Sequence, residues 1–316
     1  MRNIAKLGQG FAFQGQGLAS GEKTVQKEYF DGAERGFVWF DKNLNTHELP
    51  TEFWVNLANK VILHRRTGTT VGQPQVLVNY ARISRGRWRL KGILDLEGHA
   101  ASSRFTTVRP LVDSLPVEYL WALMNSPLAC AYAYSYSMKR DVLVGLLRQM
   151  PIPSVLTSTD AVVDAVRNYL SYVRRDPDAI LQPPINQQKS RTLLLRVDCE
   201  VLKLYNLPRE LERQLLDYFA GWQREGVPFK FDRYFPEHFT DPISLADYLA
   251  ITEDWAETNQ RRAELIHRKV ARTITSDEQT ELNHLQSLAT SRANLIAPLP
   301  LAERERLHRE VVGGEE

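Results

Sequence analysis

The sequence predicts an α+β protein in which an irregular β-rich N-terminal half is followed by an α-helical C-terminal half. Three observations carry this reading. Up to about residue 110, apolar residues gather in short runs rich in Val, Ile, Phe, Tyr and Trp, separated by Gly, Asn and Pro. From Leu115 onward they recur at three- and four-residue spacing, the period of a helix with one buried face. The charge is also segregated: Lys60–Arg109 holds ten Lys or Arg against the two acids Asp95 and Glu97, so this segment is +8 within a chain of net charge +2, and the remainder is −6.

Taken in order, Ile4–Gly17 is glycine-rich with interleaved aromatics, the pattern of strand, turn and strand. Gly36–Phe40, Lys60–His64, Gln75–Tyr80, Arg87–Leu90 and Phe105–Val108 read as further short strands. Leu115–Tyr136 reads as a helix interrupted at Asn125-Ser126-Pro127, because proline removes a donor and constrains the residue before it. A short helix is expected over Lys139–Gln149, ending on the stop Met150-Pro151-Ile152-Pro153. Thr159–Arg174 follows as a helix, and Asp176–Ser190, with Pro177, Pro183 and Pro184, reads as a linker.

Beyond the linker, Leu193–Tyr205 and Arg209–Arg224 are expected to be helices parted by Asn206-Leu207-Pro208. Val227–Asp241 is irregular and aromatic, and Leu245–Lys269 is expected to be one helix with Trp255 as its core anchor. Thr275-Ser-Asp-Glu278 matches a capping box ahead of Leu282, Leu285 and Leu288. The organisation expected is therefore residues 1–155 as one domain, 156–190 as a helix and Pro-containing linker, and 191–316 as a helical domain suited to interaction with a partner.

Composition excludes several classes. Hydrophobic residues are 43% and charged residues 25% of 316, the mix of an ordinary globular protein. No apolar run approaches the roughly 20 residues that span a bilayer, and the polar start lacks a signal-peptide core. Cys130 and Cys199 lie far apart in apolar contexts, which predicts buried free thiols and a cytoplasmic location. Seven histidines show no metal spacing.

Catalytic motifs are also wanting. Phe13-Gln-Gly-Gln-Gly17 fits the F-x-G-x-G string with which S-adenosylmethionine-dependent methyltransferases let backbone approach the cofactor, but no buried parallel strand precedes it and no Asn-Pro-Pro-Tyr-type tetrapeptide accompanies it. A glycine-rich β-turn is the preferred reading, and a methyltransferase fragment is the alternative. Gly21-Glu-Lys-Thr24 places Glu22 where a phosphate loop needs neutrality. Asp198-Cys-Glu-Val-Leu-Lys203 has the residue types of a nuclease but falls on a helix, where it reads as a solvated charged face. No catalytic centre, metal site or cofactor is assigned to the chain.

The basic strip is the stronger signal. Arg82-Ile-Ser-Arg85-Gly-Arg87-Trp-Arg89-Leu-Lys91 alternates cations with other residues, so that on a strand Arg85, Arg87, Arg89 and Lys91 would project from one face. Such a face neutralises phosphates, and arginine pairs bidentately with guanine in the major groove.

Pro116-Val-Glu-Tyr-Leu-Trp-Ala-Leu-Met-Asn-Ser-Pro-Leu-Ala, a run of small and aromatic residues, and Leu146–Pro153 ending in Met-Pro-Ile-Pro together resemble the end of a DNA target recognition domain. Such domains occur in type I restriction specificity subunits and at the C-termini of adenine-N6 DNA methyltransferases of combined restriction–modification enzymes. The glycine-rich entry Leu7–Phe13 is similar to the family's start, and the resemblance covers about residues 1–155. A second recognition domain and the long spacer helices of full type I subunits are not apparent.

The resemblance implies sequence-specific double-stranded DNA recognition, with methyltransferase or nuclease–helicase chemistry supplied by a partner subunit or domain. The chain would be either a separately encoded recognition subunit or the C-terminal portion of a longer enzyme. Lys60, Arg65, Arg66, Arg82, Arg85, Arg87, Arg89, Lys91, Arg104 and Arg109 are the expected phosphate-gripping set. Base edges would be read by some of Arg82, Arg85, Arg87, Asn79 and Gln75. A helical protein-interaction subunit without DNA binding is the competing reading.

Overall fold

The computed structural model describes residues 1–14, 24–112, 115–136, 141–142, 144–153, 159–174 and 185–298. Its strands are β1 (Ala5–Gln9), β2 (Ala12–Phe13), β3 (Val25–Gln26), β4 (Ala33–Phe37), β5 (Glu52–Asn56), β6 (Ile62–His64), β7 (Gln75–Asn79), β8 (Gly92–Asp95), β9 (Ala100–Ala101) and β10 (Phe105–Pro110). They form a sheet ordered β1-β10-β7-β8, a second ordered β3-β5-β4-β9, and the ribbon β2-β6. All pairings are antiparallel except β4 with β9. The fold is α+β, as the short apolar runs predict.

β7 explains the first sheet. Its Val76-Leu77-Val78 core has no solvent exposure, and a continuous run of β-branched and aliphatic residues suits a strand covered on both faces. Leu77 packs with Phe37, Ile93, Ala101 and Phe105. A separate core of Phe11, Val38, Val55, Leu57, Val61, Ile62 and Ala100 holds the ribbon to the second sheet.

The helices are α1 (Val117–Asn125), α2 (Pro127–Tyr136), α3 (Val144–Gln149), α4 (Thr159–Val173), α5 (Gln187–Tyr205), α6 (Arg209–Asp217), α7 (Leu245–Thr252), α8 (Trp255–Val270) and α9 (Ser276–Ile296). α1 is buried at every residue but Glu118, because it packs on β7, β8 and β10 and also on α4 and α5. Its Asn125 side chain accepts from the Gly92 N–H at 2.9 Å and donates to the Gly92 carbonyl at 3.0 Å. The break after it falls where proline predicts. Ser126 accepts from the Ala129 N–H at 3.1 Å, capping α2, and Pro127 opens that helix where its missing N–H costs nothing.

Several expectations need correction. Arg87–Leu90 is not a strand; residues 82–91 run as irregular loop between β7 and β8. The helix from Arg209 stops at Asp217, and Gly221, at φ +80°, turns the chain so that Arg224 donates its N–H to the Phe231 carbonyl. Leu245–Lys269 is two helices, α7 and α8. Trp255, at the start of α8, is only half-buried, with the Arg292 guanidinium 4.8 Å from its ring.

Compact units part at Tyr234/Phe235, giving Met1–Tyr234 and Phe235–Glu316. α4 and α5 therefore belong to the body that carries the sheets, through their packing on each other and on α1, and the boundary expected near residue 190 is not where the units separate. The linker residues 175–184, the start of the helix expected at Lys139 and the C-terminal tail lie outside the described residues. Within the second unit, the capping box at Thr275 and Glu278 is present, and Leu282, Leu285 and Leu288 are buried. No described helix is long and apolar enough to cross a membrane.

Candidate nucleic-acid interface

The glycine-rich entry packs closely against the segments that carry Arg66 and Arg104. A Cβ on Gly10 would collide with the Ser102 carbonyl oxygen, and one on Gly68 would collide with that of Ala101. Only glycine lets the β1–β2 connection and the turn at Thr67–Thr69 press against the β9–β10 connection. Gln9 then bridges two cationic segments: its amide donates to the Ser103 carbonyl at 3.2 Å, and its carbonyl accepts from the Arg66 guanidinium. The bridge ties Arg66 to the backbone of the segment that carries Arg104, and both arginines are exposed. Arg66 has φ +46°, a conformation costly for a side-chain-bearing residue and one that recurs at functional sites.

Arg65 is also exposed, held by the Leu57 carbonyl at 2.5 Å and the Asn59 side chain at 2.9 Å. Lys60 stands exposed just ahead of β6. Next to Arg104 opens a cleft of about 500 Å³ whose apolar wall includes Phe11, Phe13, Val25, Val38 and Trp39, and whose polar rim is Thr24 with Ser102, Ser103 and Arg104. Trp39 is 57% exposed. Sequence reasoning missed Trp39 and Gln9; the only available signal was aromatic density near a glycine-rich turn. Phe13-Gln-Gly-Gln-Gly17 passes outside the described residues from Gly15, and so does Gly21-Glu-Lys of the phosphate-loop-like string.

The basic strip is largely spoken for by the fold. Arg87 lies over the Tyr218 ring and donates to the Tyr218 carbonyl. Arg89 sits 4.6 Å from the Tyr134 ring centre and donates to the Ser84 carbonyl. Lys91 is 1% exposed and donates to the carbonyls of Lys42 and Leu44; burial lowers its pKa, against the opposing pull of Glu225, Asp41 and Glu48. The single cationic strand face expected of Arg85, Arg87, Arg89 and Lys91 does not exist, because the segment is a loop whose side chains go separate ways. Of this strip, Arg85 is exposed and Arg82 half-exposed, and neither side chain has a hydrogen bond or ion pair among the described residues.

Gln75, Asn79 and Arg109 are buried and cannot meet a base edge or a phosphate without unfolding their surroundings. Asn79 accepts from the Lys91 N–H and donates to the carbonyls of Ala81 and Arg89, closing the β7–β8 loop. Arg109 donates to the carbonyls of Thr67 and Thr70 and to the Gln75 side chain, so it holds the turn behind Arg66; burial lowers its pKa. Gln75 donates in turn to Asp95 at 2.8 Å and to the His99 carbonyl at 2.7 Å.

This network ends at His99, whose two ring nitrogens lie 2.8 Å from Asp95 and 3.0 Å from Glu52. Burial by itself would lower its pKa, but the hydrogen bond and charge of Asp95 and the charge of Glu52 outweigh burial and raise it. Both nitrogens are thereby committed, and no described group of His, Cys, Asp or Glu has the arrangement to hold a metal.

Asp198, expected on a solvated face, is instead buried at 1% exposure, paired with Arg224 and hydrogen-bonded to Tyr234 at 2.8 Å. Glu200 and Lys203 of the same helix pair at 2.6 Å on the outer side. Both cysteines are buried free thiols, as expected, and burial pushes them up to about 11 for Cys130 and about 12 for Cys199. A larger cleft of about 730 Å³ lies among Leu49, Leu94, Leu96 and Val173, but Glu48 and Glu97 at its edge disfavour a polyanion. No known protein-family model matches the chain, and no curated protein matches it.

Proposed function

We propose that this chain recognises double-stranded DNA in a sequence-specific manner as the specificity part of a restriction–modification or related defence system, with methyl transfer or cleavage carried out by a partner subunit or domain. The observation that carries the reading is the Gln9 bridge, which ties the exposed Arg66 to the backbone of the segment that carries the exposed Arg104. Lys60 and Arg65 flank the same ribbon strand β6, extending the cationic surface along it. The cations of Lys60–Arg109 that stay exposed, Lys60, Arg65, Arg66, Arg85 and Arg104, and the resemblance of residues 1–155 to target recognition domains also support it. Phosphate contacts of this kind set affinity and position, while base contacts set sequence preference.

The test is fluorescence anisotropy of duplex binding by the full chain over a salt series. Replacing Arg65, Arg66 and Arg104 together with alanine is expected to weaken binding and to reduce the slope of log affinity against log salt by about 0.9 for each phosphate that is no longer neutralised. An unchanged slope, or no duplex binding by the wild-type chain at low salt, overturns the reading.

A further inference from the structure

The cleft beside Arg104 has more to it than a cationic rim. Two of its wall residues are aromatic rings fixed from behind: Phe13 by an edge-on contact with Phe11 at 5.2 Å, and Trp39 by an edge-on contact with Phe53 at 4.9 Å. Phe11 and Val38 anchor this wall in the core that holds the ribbon, so the rings are presented on a firm base. The Trp39 indole is left more than half exposed on this base. At about 500 Å³ the cleft lies within the roughly 300–1,000 Å³ range of small-ligand sites.

The rim decides the class of occupant. The Arg104 guanidinium has no hydrogen bond or ion pair among the described residues. Ser103 and Thr24 add short hydroxyl groups to the lining, whereas the Ser102 hydroxyl is buried and donates to the Val38 carbonyl. A flat, apolar-faced group with polar edges, carried on an anionic tether, fits each of these parts: the face stacks on the rings, the edges meet the hydroxyls of Ser103 and Thr24, and the tether meets Arg104. A nucleobase on its phosphodiester backbone is that group, and aromatic side chains stack on bases of any identity.

We propose that this cleft receives one unstacked base of the bound DNA, stacked on Trp39 and Phe13 with its phosphate on Arg104. This rests on the DNA-recognition reading and adds that one nucleotide leaves the helical stack. Extruding a base costs least where it is already unpaired, so an unpaired base gives the sensitive probe.

The experiment compares, for the full chain, a fully paired duplex with the same duplex carrying a single extra unpaired adenine. The bulged duplex is expected to bind about tenfold or more tightly. Trp39→Ala is expected to erase that preference, weakening the bulged duplex more than the paired one. Tyr29→Ala, which removes an equally exposed ring that packs on Trp54 away from the cleft, is expected to keep the preference. Thermal unfolding of each variant confirms that it is folded, and Trp39→Ser serves should the alanine variant not fold. Equal affinity of the wild-type chain for paired and bulged duplexes, or equal loss of preference in the Trp39 and Tyr29 variants, overturns the base pocket while duplex recognition stands. Absence of binding to the paired duplex at any salt overturns duplex recognition itself.

Discussion

The guanidinium carbon of Arg87 lies 4.0 Å from the centre of the Tyr218 ring, and the same side chain donates to the Tyr218 carbonyl. An arginine at the centre of the most basic stretch thus fastens the β7–β8 loop to the end of α6. Arg87→Ala is expected to lower stability by about 1–2 kcal/mol, the combined scale of a partly desolvated cation–π contact and a hydrogen bond. Urea unfolding measures this. DNA affinity and its salt slope, by contrast, are expected to stay at the wild-type value.

The Asp198–Arg224 pair is a more severe case. Both side chains are almost fully buried; Arg224 also donates to the Asn125 carbonyl at 2.8 Å, and Tyr234 donates to Asp198. Asp198→Ala leaves a buried guanidinium without its counter-ion and is expected to cost about 3–5 kcal/mol. Replacing Asp198 and Arg224 together with apolar residues of similar volume is expected to recover much of that loss. A four-member cycle of denaturation curves checks both statements.

His99 makes stability depend on pH. Its pKa is raised in the fold, so its contribution is complete below the ordinary histidine value and is lost as pH rises through the folded value. Asp95 and Glu52 behave oppositely. Burial would raise both, but hydrogen bonds from His99 and Gln75 to Asp95, and from Arg35 to Glu52, leave both lowered; their contribution is lost as pH falls through those lowered values. His99→Gln is expected to remove the loss of stability on the alkaline side and to keep one on the acid side. Urea midpoints measured from about pH 4 to 9 give the comparison.

In the second unit, Thr275 accepts from the Glu278 N–H at 3.2 Å, and Glu278 accepts from the Thr275 N–H at 3.0 Å. Thr275→Ala is expected to cost about 1 kcal/mol. Circular dichroism during thermal unfolding reads the loss.

These cases also mark what the residues disclose before folding. The Asn-Ser-Pro break and the capping box were legible because each is decided by neighbours within about four residues. Lys91 was not. Its acceptors are the carbonyls of Lys42 and Leu44, which counting charges along the chain cannot find. Gln75 and Asn79 flank a Val-Leu-Val run that is covered on both sides, so their polarity serves loop and network instead of solvent. Arg66 was counted as a cation, but its tie to the segment that carries Arg104 runs through Gln9, a residue without charge. Asp198 was misplaced because its partner lies 26 positions away.

β8 is the last strand of its sheet, and a terminal strand offers free N–H and C=O groups to any extended segment of another molecule. At Gly92 the carboxamide of Asn125 takes up both, matching one donor and one acceptor as a neighbouring strand would. The helix beneath the sheet thereby closes that rim at Gly92 against addition of a foreign strand, and self-association by sheet extension there would first have to displace Asn125.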